Sequence, residues 1–97
     1  MKNKEQEILL IAQEECAEVT QAISKVFRFG YDSVKPDDSS KEDNRSRLQT
    51  EVGDLLAMIE LMMEHGIIDE TMTQRACAAK KAKLKIWSNI FNENDCH

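Results

Sequence analysis

The sequence predicts an all-α protein, because apolar residues recur at helical spacing and turn-forming residues are scarce. Of the 97 residues, 41% are hydrophobic and 32% are charged, which is typical of a globular chain. Three Gly and one Pro leave few turns for an architecture of many short strands. The chain is also short enough that we expect residues 1–97 to form a single domain.

Two long helices are expected in the first two thirds of the chain. The first covers about residues 5–29, has no internal Gly or Pro, and is expected to end at Gly30. A polar connection over residues 31–43 follows. The second helix is expected over about residues 44–64, where apolar residues spread over more than one face. So wide an apolar surface predicts several packing partners.

A third helix is expected to begin after Asp69, a good N-cap residue, and to run towards Trp87 or Phe91. We therefore expect an antiparallel bundle of three long helices, with a short fourth helix as an option. A chain this short makes a thin bundle, so we expect a homodimer or homotetramer to complete it. The alternative is a monomer in which the third helix covers the apolar surface of the second.

Charge and hydropathy exclude several classes of partner. A net charge of -5 and a pI near 5.0 argue against binding nucleic acid. No apolar run reaches the length of about 18 residues that a transmembrane helix needs, and the N-terminal apolar stretch is too short for a signal peptide. We therefore expect a cytoplasmic protein that does not bind membranes. Cys16, Cys77 and Cys96 lack C-x-x-C spacing and are expected to be reduced thiols.

Two pairs of acids interrupt the apolar faces of the first two helices. Glu15 shares the angular position of Ile8 and Val19, and Glu18 follows three residues later on the same side. Glu51 and Asp54 repeat this spacing within the apolar run of the second helix. Burying four carboxylates without compensation is costly, so a bound cation is expected where the two helices meet. The alternative is that these acids simply form a solvated face.

The kind of cation follows from the available ligands. The histidines, His65 and His97, lie near a helix end and at the terminus, so no imidazole is expected to join the acids. A shell of carboxylates and water suits Mg²⁺, with Mn²⁺ as a substitute, and such Mg²⁺ generally serves phosphate substrates. Gly53, inside the second acid pair, indicates a close approach by a ligand or by another helix.

The segments EECAE at residues 14–18 and EVGDLL at residues 51–56 together resemble the E-E-x-x-E and E-x-x-D motifs of the MazG-like all-α nucleoside triphosphate pyrophosphohydrolases. The resemblance covers about the first two thirds of the chain. It implies a Mg²⁺-dependent enzyme that cleaves a (d)NTP between its α- and β-phosphates, releasing a (d)NMP and pyrophosphate. The alternative is a catalytically silent helical module for interaction or regulation.

Carried over by position, the resemblance implies a set of catalytic acids. Four of them match the metal ligands of the family, namely Glu15, Glu18, Glu51 and Asp54. Glu14 matches an additional glutamate, which would assist the attacking water or bind a second Mg²⁺. Thr50 stands where the family often has a glutamate, so the number of metal ions and the general base are open. The base and sugar of the substrate are open as well.

Basic residues offer candidate contacts to the phosphates. The resemblance implies that the later helices supply some of them, and the third helix carries five basic residues with no acid between them. Lys81 and Lys85 share a helix face at i, i+4 and are the expected pair, although a solvated basic face is the alternative. Arg47, at the start of the second helix, is a third candidate.

Overall fold

The computed structural model describes residues 3–37 and 39–92. Within these ranges it contains three α-helices and no strand, as the sequence predicts: α1 (Asn3–Phe29), α2 (Asn44–Glu64) and α3 (Glu70–Trp87). None of the described helices has the length and apolar character needed to cross a bilayer. The chain divides into two compact units, Met1–Ile67 and Ile68–His97. A single domain over the whole chain stays a prediction.

The end of α1 lies where the sequence predicts it. Gly30 has a φ of +89°, a conformation that strains any residue with a Cβ, and its N–H donates to the Val26 carbonyl over 2.8 Å. The helix begins at Asn3, two residues before the expected start. This difference is within the ordinary uncertainty of a helix end.

Both ends of α2 also match the expected positions, because the flanking residues supply the caps. The Asp43 carboxylate accepts a 2.8 Å hydrogen bond from the Ser46 N–H. This bond, with help from the Ser46 side chain and the charge of Arg45, holds the pKa of Asp43 below its ordinary value. At the other end, the His65 N–H donates to the Leu61 carbonyl over 3.0 Å.

The connection between α1 and α2 is held against the start of α2. Val34 and Asp43 form an isolated antiparallel bridge, and the Asn44 N–H donates to the Ser33 carbonyl over 3.1 Å. The Arg45 guanidinium stacks over the Tyr31 ring, with its carbon 4.3 Å from the ring centroid. These contacts give the connection a defined course close to the first turn of α2.

The core of the first unit is a seam between α1 and α2. Ile8 and Ala12 of α1 and Met58 of α2 are each only 7% exposed, and Leu61, Met62 and Ile67 pack against them. The start of α2 lies against the end of α1, where the Asn44 side chain donates to the Gly30 carbonyl over 2.9 Å. The acid pairs of α1 and α2 lie between these two contacts.

The second unit contains α3. The Asp69 carboxylate accepts from the Met72 N–H over 2.9 Å, which confirms the predicted N-cap. The helix ends at Trp87, the earlier of the two expected ends, and the Ser88 N–H donates to the Leu84 carbonyl. No fourth helix occurs among residues 3–37 and 39–92. Cys16 and Cys77 are exposed free thiols, and Cys96 lies outside the described residues.

Candidate metal centre and adjoining cleft

Three of the predicted metal ligands meet at the seam between α1 and α2. Glu15, Glu51 and Asp54 each offer a carboxylate oxygen, and these oxygens all lie within 4.8 Å of one another. Glu15 follows the core residue Ala12 by three positions, and Glu51 precedes the core residue Met58 by seven. Both acids therefore share a helix face with the core, which is why packing of the core brings them together. We call these three residues the acid triad.

The burial of the acids differs from the expectation. Glu15 and Glu51 are half-buried, whereas Asp54 and Glu18 are exposed. The expectation that these acids lie on buried helix faces is therefore met only in part within the described unit. Two helices enclose a seam and not a closed interior, so one side of the triad stays open to water. An open side leaves room for water molecules and for a substrate around a cation.

The electrostatics of the triad centre on Glu15. Partial burial and the negative charges of Asp54 and Glu51 raise the pKa of the Glu15 carboxyl above its ordinary value, and Glu18 and Glu14 add to this. Each of these causes disfavours a negative charge at that position. A bound cation would offset the repulsion, and it would compete with the proton for the same oxygens.

Glu18 and Glu14 are not members of the triad. Glu18 is not a member of the group of oxygens within 4.8 Å, although its charge acts on Glu15. Its side chain instead lines a cleft that also includes Glu51. Glu14 is exposed, and its charge is the weakest of the influences on Glu15. The structure thus brings together three of the four predicted ligands and leaves the fourth beside them.

The cleft next to the triad mixes acidic and basic groups. It has a volume of about 80 Å³ and is lined by Glu18, Gln21, Ala22, Lys25, Asn44, Arg47 and Glu51. Arg47 is one of the predicted phosphate contacts, and the structure places it one turn before Glu51 on α2. We call this depression the acid-base cleft.

Lys25 is a residue of this cleft for which the sequence by itself suggests no binding role. It follows Glu18 by seven positions, a spacing that places both side chains on the same side of α1. That spacing is a usable signal, but a lysine near the end of a helix also interacts favourably with the helix dipole and so needs no other role. Only the packing of α2 shows that Lys25 shares a cleft with Arg47.

A second, larger depression adjoins the cleft, and the sequence does not predict it. It has a volume of about 250 Å³ and is formed by the end of α1, the connection and the start of α2. Its lining comprises Lys25, Phe29, Ser33, Val34, Lys35, Pro36, Asn44 and Arg47. We call it the loop pocket. Its walls depend on the folded course of a polar connection, which helical periodicity does not describe.

The remaining predicted residues are members of neither the acid triad nor the acid-base cleft. Lys81 and Lys85 are exposed residues of the second unit, and the Lys85 ammonium lies 6.0 Å from the centroid of the Phe91 ring. Their role in phosphate binding stays a prediction. His65 caps α2 and does not belong to the triad. His97 lies outside the described residues.

Comparison of the chain with protein-family models, with curated proteins and with solved structures finds no match. The features that indicate a function are the acid triad, the two depressions beside it and the resemblance of the two acidic motifs to those of the MazG-like enzymes.

Proposed function

We propose that this chain is a Mg²⁺-dependent nucleoside triphosphate pyrophosphohydrolase of the MazG-like kind. It would cleave a (d)NTP between the α- and β-phosphates and release a (d)NMP and pyrophosphate. The observation that carries the proposal is the acid triad, whose oxygens lie within 4.8 Å of one another beside a cleft that contains Lys25 and Arg47. The carboxylates can hold a metal ion, and the neighbouring cationic side chains can hold phosphate groups. This arrangement suits a complex of a metal ion with a polyphosphate.

The donor set of the triad fits Mg²⁺. Glu15, Glu51 and Asp54 supply hard oxygen ligands, and the open side leaves positions for water and for phosphate oxygens. Glu18, one turn after Glu15, completes the predicted ligand set. When bound, Mg²⁺ neutralises phosphate charge and lowers the pKa of a water molecule, and Mn²⁺ is expected to substitute for it.

The side chains of this protein would position the substrate. Lys25 and Arg47 would hold non-bridging phosphate oxygens, while Glu14 would accept a proton from the attacking water. In the reaction, the water oxygen bonds to the α- or the β-phosphorus, and the bond between that phosphorus and the α,β-bridging oxygen breaks. The bridging oxygen stays on the other phosphorus and leaves with that product. The proton of the water passes through the Glu14 carboxylate to solvent. The expected contribution of the protein is mainly positional and electrostatic.

The proposal includes a homodimer or homotetramer that completes an antiparallel bundle. Ile23 of α1 and Val52 and Leu56 of α2 are exposed apolar residues of the first unit. A seam with so few buried side chains gives limited stability, and a second copy would remove these residues from water. Lys81 and Lys85 would then be candidate phosphate contacts from α3. We propose a cytoplasmic enzyme with no nucleic acid or membrane partner.

One observation favours a second candidate function, a helical interaction module without catalysis. Ile23 and Phe27, four residues apart on α1, are 42% and 86% exposed. Side chains at this spacing share a helix face, and a contiguous exposed apolar patch marks a surface that binds other proteins. In that case the acids would be a solvated face, and Mg²⁺ would leave the stability of the protein unchanged.

Pyrophosphate release from a panel of NTPs and dNTPs separates the two candidates. We expect release by the wild-type chain with Mg²⁺, no release without metal, and a loss of at least about 100-fold in Glu51→Gln. Glu60→Gln is the matched control, because Glu60 is an exposed acid of the same helix outside the triad. It should keep its rate within about twofold. A folded wild-type chain that releases no pyrophosphate from any nucleotide would favour the interaction module.

A further inference from the structure

The loop pocket and the acid-base cleft share three lining residues. Lys25, Asn44 and Arg47 belong to both, so the two depressions are neighbours with these side chains between them. The cleft in turn includes Glu51 of the acid triad. The two cations therefore lie between the triad on one side and a pocket of about 250 Å³ on the other.

The pocket differs from the cleft in chemistry. Beyond the shared residues, its walls include Phe29, Val34 and Pro36, which present an aromatic ring and aliphatic groups. Ser33 and Lys35 supply polar groups. Its volume is slightly below the range of about 300–1,000 Å³ that is typical of pockets for drug-sized ligands, so it suits one compact ring system. A ring can stack on Phe29 while its polar edge meets Ser33 or Lys35.

The walls of the pocket are fixed by the fold of the connection. The Asn44 side chain donates to the Gly30 carbonyl over 2.9 Å and reaches the Lys25 carbonyl over 3.4 Å. The bridge between Val34 and Asp43 holds another lining residue, Val34, against the start of α2. A pocket that is formed before its ligand arrives loses less conformational entropy on binding.

We propose that the loop pocket receives the base and sugar of the nucleotide, while Lys25 and Arg47, which line both depressions, hold its phosphates next to the acid triad. This inference depends on the proposed function, because it orients the same substrate. The positive groups at the shared edge argue for a ligand with an anionic end, and the apolar walls argue for a ring at its other end. A wider depression beside Leu9 and Leu10 has no charged lining residue and offers no such complementarity.

The test measures binding of α,β-imido analogues of NTPs and dNTPs, and of inorganic tripolyphosphate, by calorimetry in Mg²⁺ with the full chain. Phe29→Ala should weaken binding of the best nucleotide analogue by about 10-fold or more and leave the affinity for tripolyphosphate within about twofold of that of the wild type. Phe27→Ala is the matched control, since Phe27 lies about 160° around the same helix and does not line the pocket. It should change neither affinity, and light scattering checks that its oligomeric state matches the wild type.

A second pair of variants tests the phosphate contacts. Lys25→Met should weaken binding of the nucleotide analogue and of tripolyphosphate alike, by about 10-fold or more, because both ligands carry phosphate groups. Lys4→Met, which changes an exposed lysine of α1 outside both depressions, should weaken neither. Val34→Ser is a further pocket variant that should reproduce the pattern of Phe29→Ala, in case the latter disturbs the end of α1.

Several outcomes would overturn the inference. They are an unchanged nucleotide affinity in both Phe29→Ala and Val34→Ser, an equal loss for nucleotide and tripolyphosphate in these variants, and a wild-type chain that binds no nucleotide analogue. Because the analogues are not cleaved, this result is independent of catalysis. If the wild type releases pyrophosphate but the pocket variants keep their nucleotide affinity, only the role of the loop pocket is refuted. If nucleotides bind selectively but no pyrophosphate is released, only the proposed hydrolysis is refuted.

Discussion

Asn44 is the side chain whose replacement best tests how the site is assembled. It is the first residue of α2, is only 7% exposed, and lines both the cleft and the loop pocket. Its amide nitrogen lies 2.9 Å from the Gly30 carbonyl oxygen and 3.4 Å from that of Lys25. The replacement Asn44→Leu keeps a similar volume but removes the donor. It therefore isolates the hydrogen bonds from the packing.

The size of the effect follows from these bonds. The bond to Gly30 has good length and reaches a carbonyl just past the end of α1, where no further helical N–H follows to donate to it. The longer bond to Lys25 adds less, because that carbonyl lies within the helix. Gly30 is exposed and the bond is only partly buried, so water can solvate the carbonyl in the variant and the loss is the net value of a hydrogen bond, about 0.5–1.5 kcal/mol. For a unit of this size, a loss of about 1 kcal/mol lowers the melting temperature by about 4–8 °C.

Thermal unfolding followed by far-ultraviolet circular dichroism measures this loss. Gln49→Leu is the control, since Gln49 is an exposed residue of the same helix and its replacement should stay within about 0.5 kcal/mol of the wild type. Nucleotide binding should weaken along with stability, because Asn44 holds the end of α1 against the start of α2. An Asn44→Leu variant that melts with the wild type would show that these bonds contribute nothing and would refute the reasoning.

Three other results are expected. Met58→Ala should lower the free energy of unfolding by about 2–3 kcal/mol in urea titrations, since Met58 is 7% exposed, whereas the exposed Met72→Ala should change it by no more than about 0.5 kcal/mol. Asp43→Asn should destabilise the protein near neutral pH, and its melting temperature should approach that of the wild type in acid. The reason is that the Ser46 hydrogen bonds lower the pKa of Asp43, and the stability this gives is lost as the pH falls below 3.8 through the lowered pKa. The raised pKa of Glu15 has the opposite effect on stability, so without metal the ionisation of Glu15 should destabilise the protein as the pH rises above 4.5. Glu15→Gln should therefore have a higher melting temperature than the wild type at pH 7, but it should lose the increase in melting temperature that Mg²⁺ causes in the wild type. An equal effect of Mg²⁺ on both chains would contradict this.

Much of the local structure could be predicted because its causes are local. Gly30 ends α1 and Asp69 caps α3 as expected, since a glycine C-cap and an aspartate N-cap act on neighbouring backbone groups. The i, i+3 spacing places Glu51 and Asp54 on one side of α2 before any packing is considered. The same spacing for Glu15 and Glu18 does not place both in the triad.

The site could be predicted only in part, because distance between helices is not a property of either helix. Periodicity predicts that Glu15 shares a face with the core, but it does not predict how far that core extends around the acids. The seam between α1 and α2 leaves Asp54 exposed and turns Glu18 towards the cleft. Charge patterning likewise predicts basic residues near a phosphate without telling Lys25 from the lysines of α3.

The sequence by itself determined the three helices, their caps and the acids that share a face within each helix, since these depend on contacts between residues a few positions apart. Tertiary structure decided that Glu15 of α1 meets Glu51 and Asp54 of α2, that Lys25 and Arg47 share a cleft, and that the connection forms a pocket. Those features join residues far apart in the chain. Their distances are set by how the core residues of α1 and α2 pack and by the hydrogen bonds of one buried asparagine, Asn44.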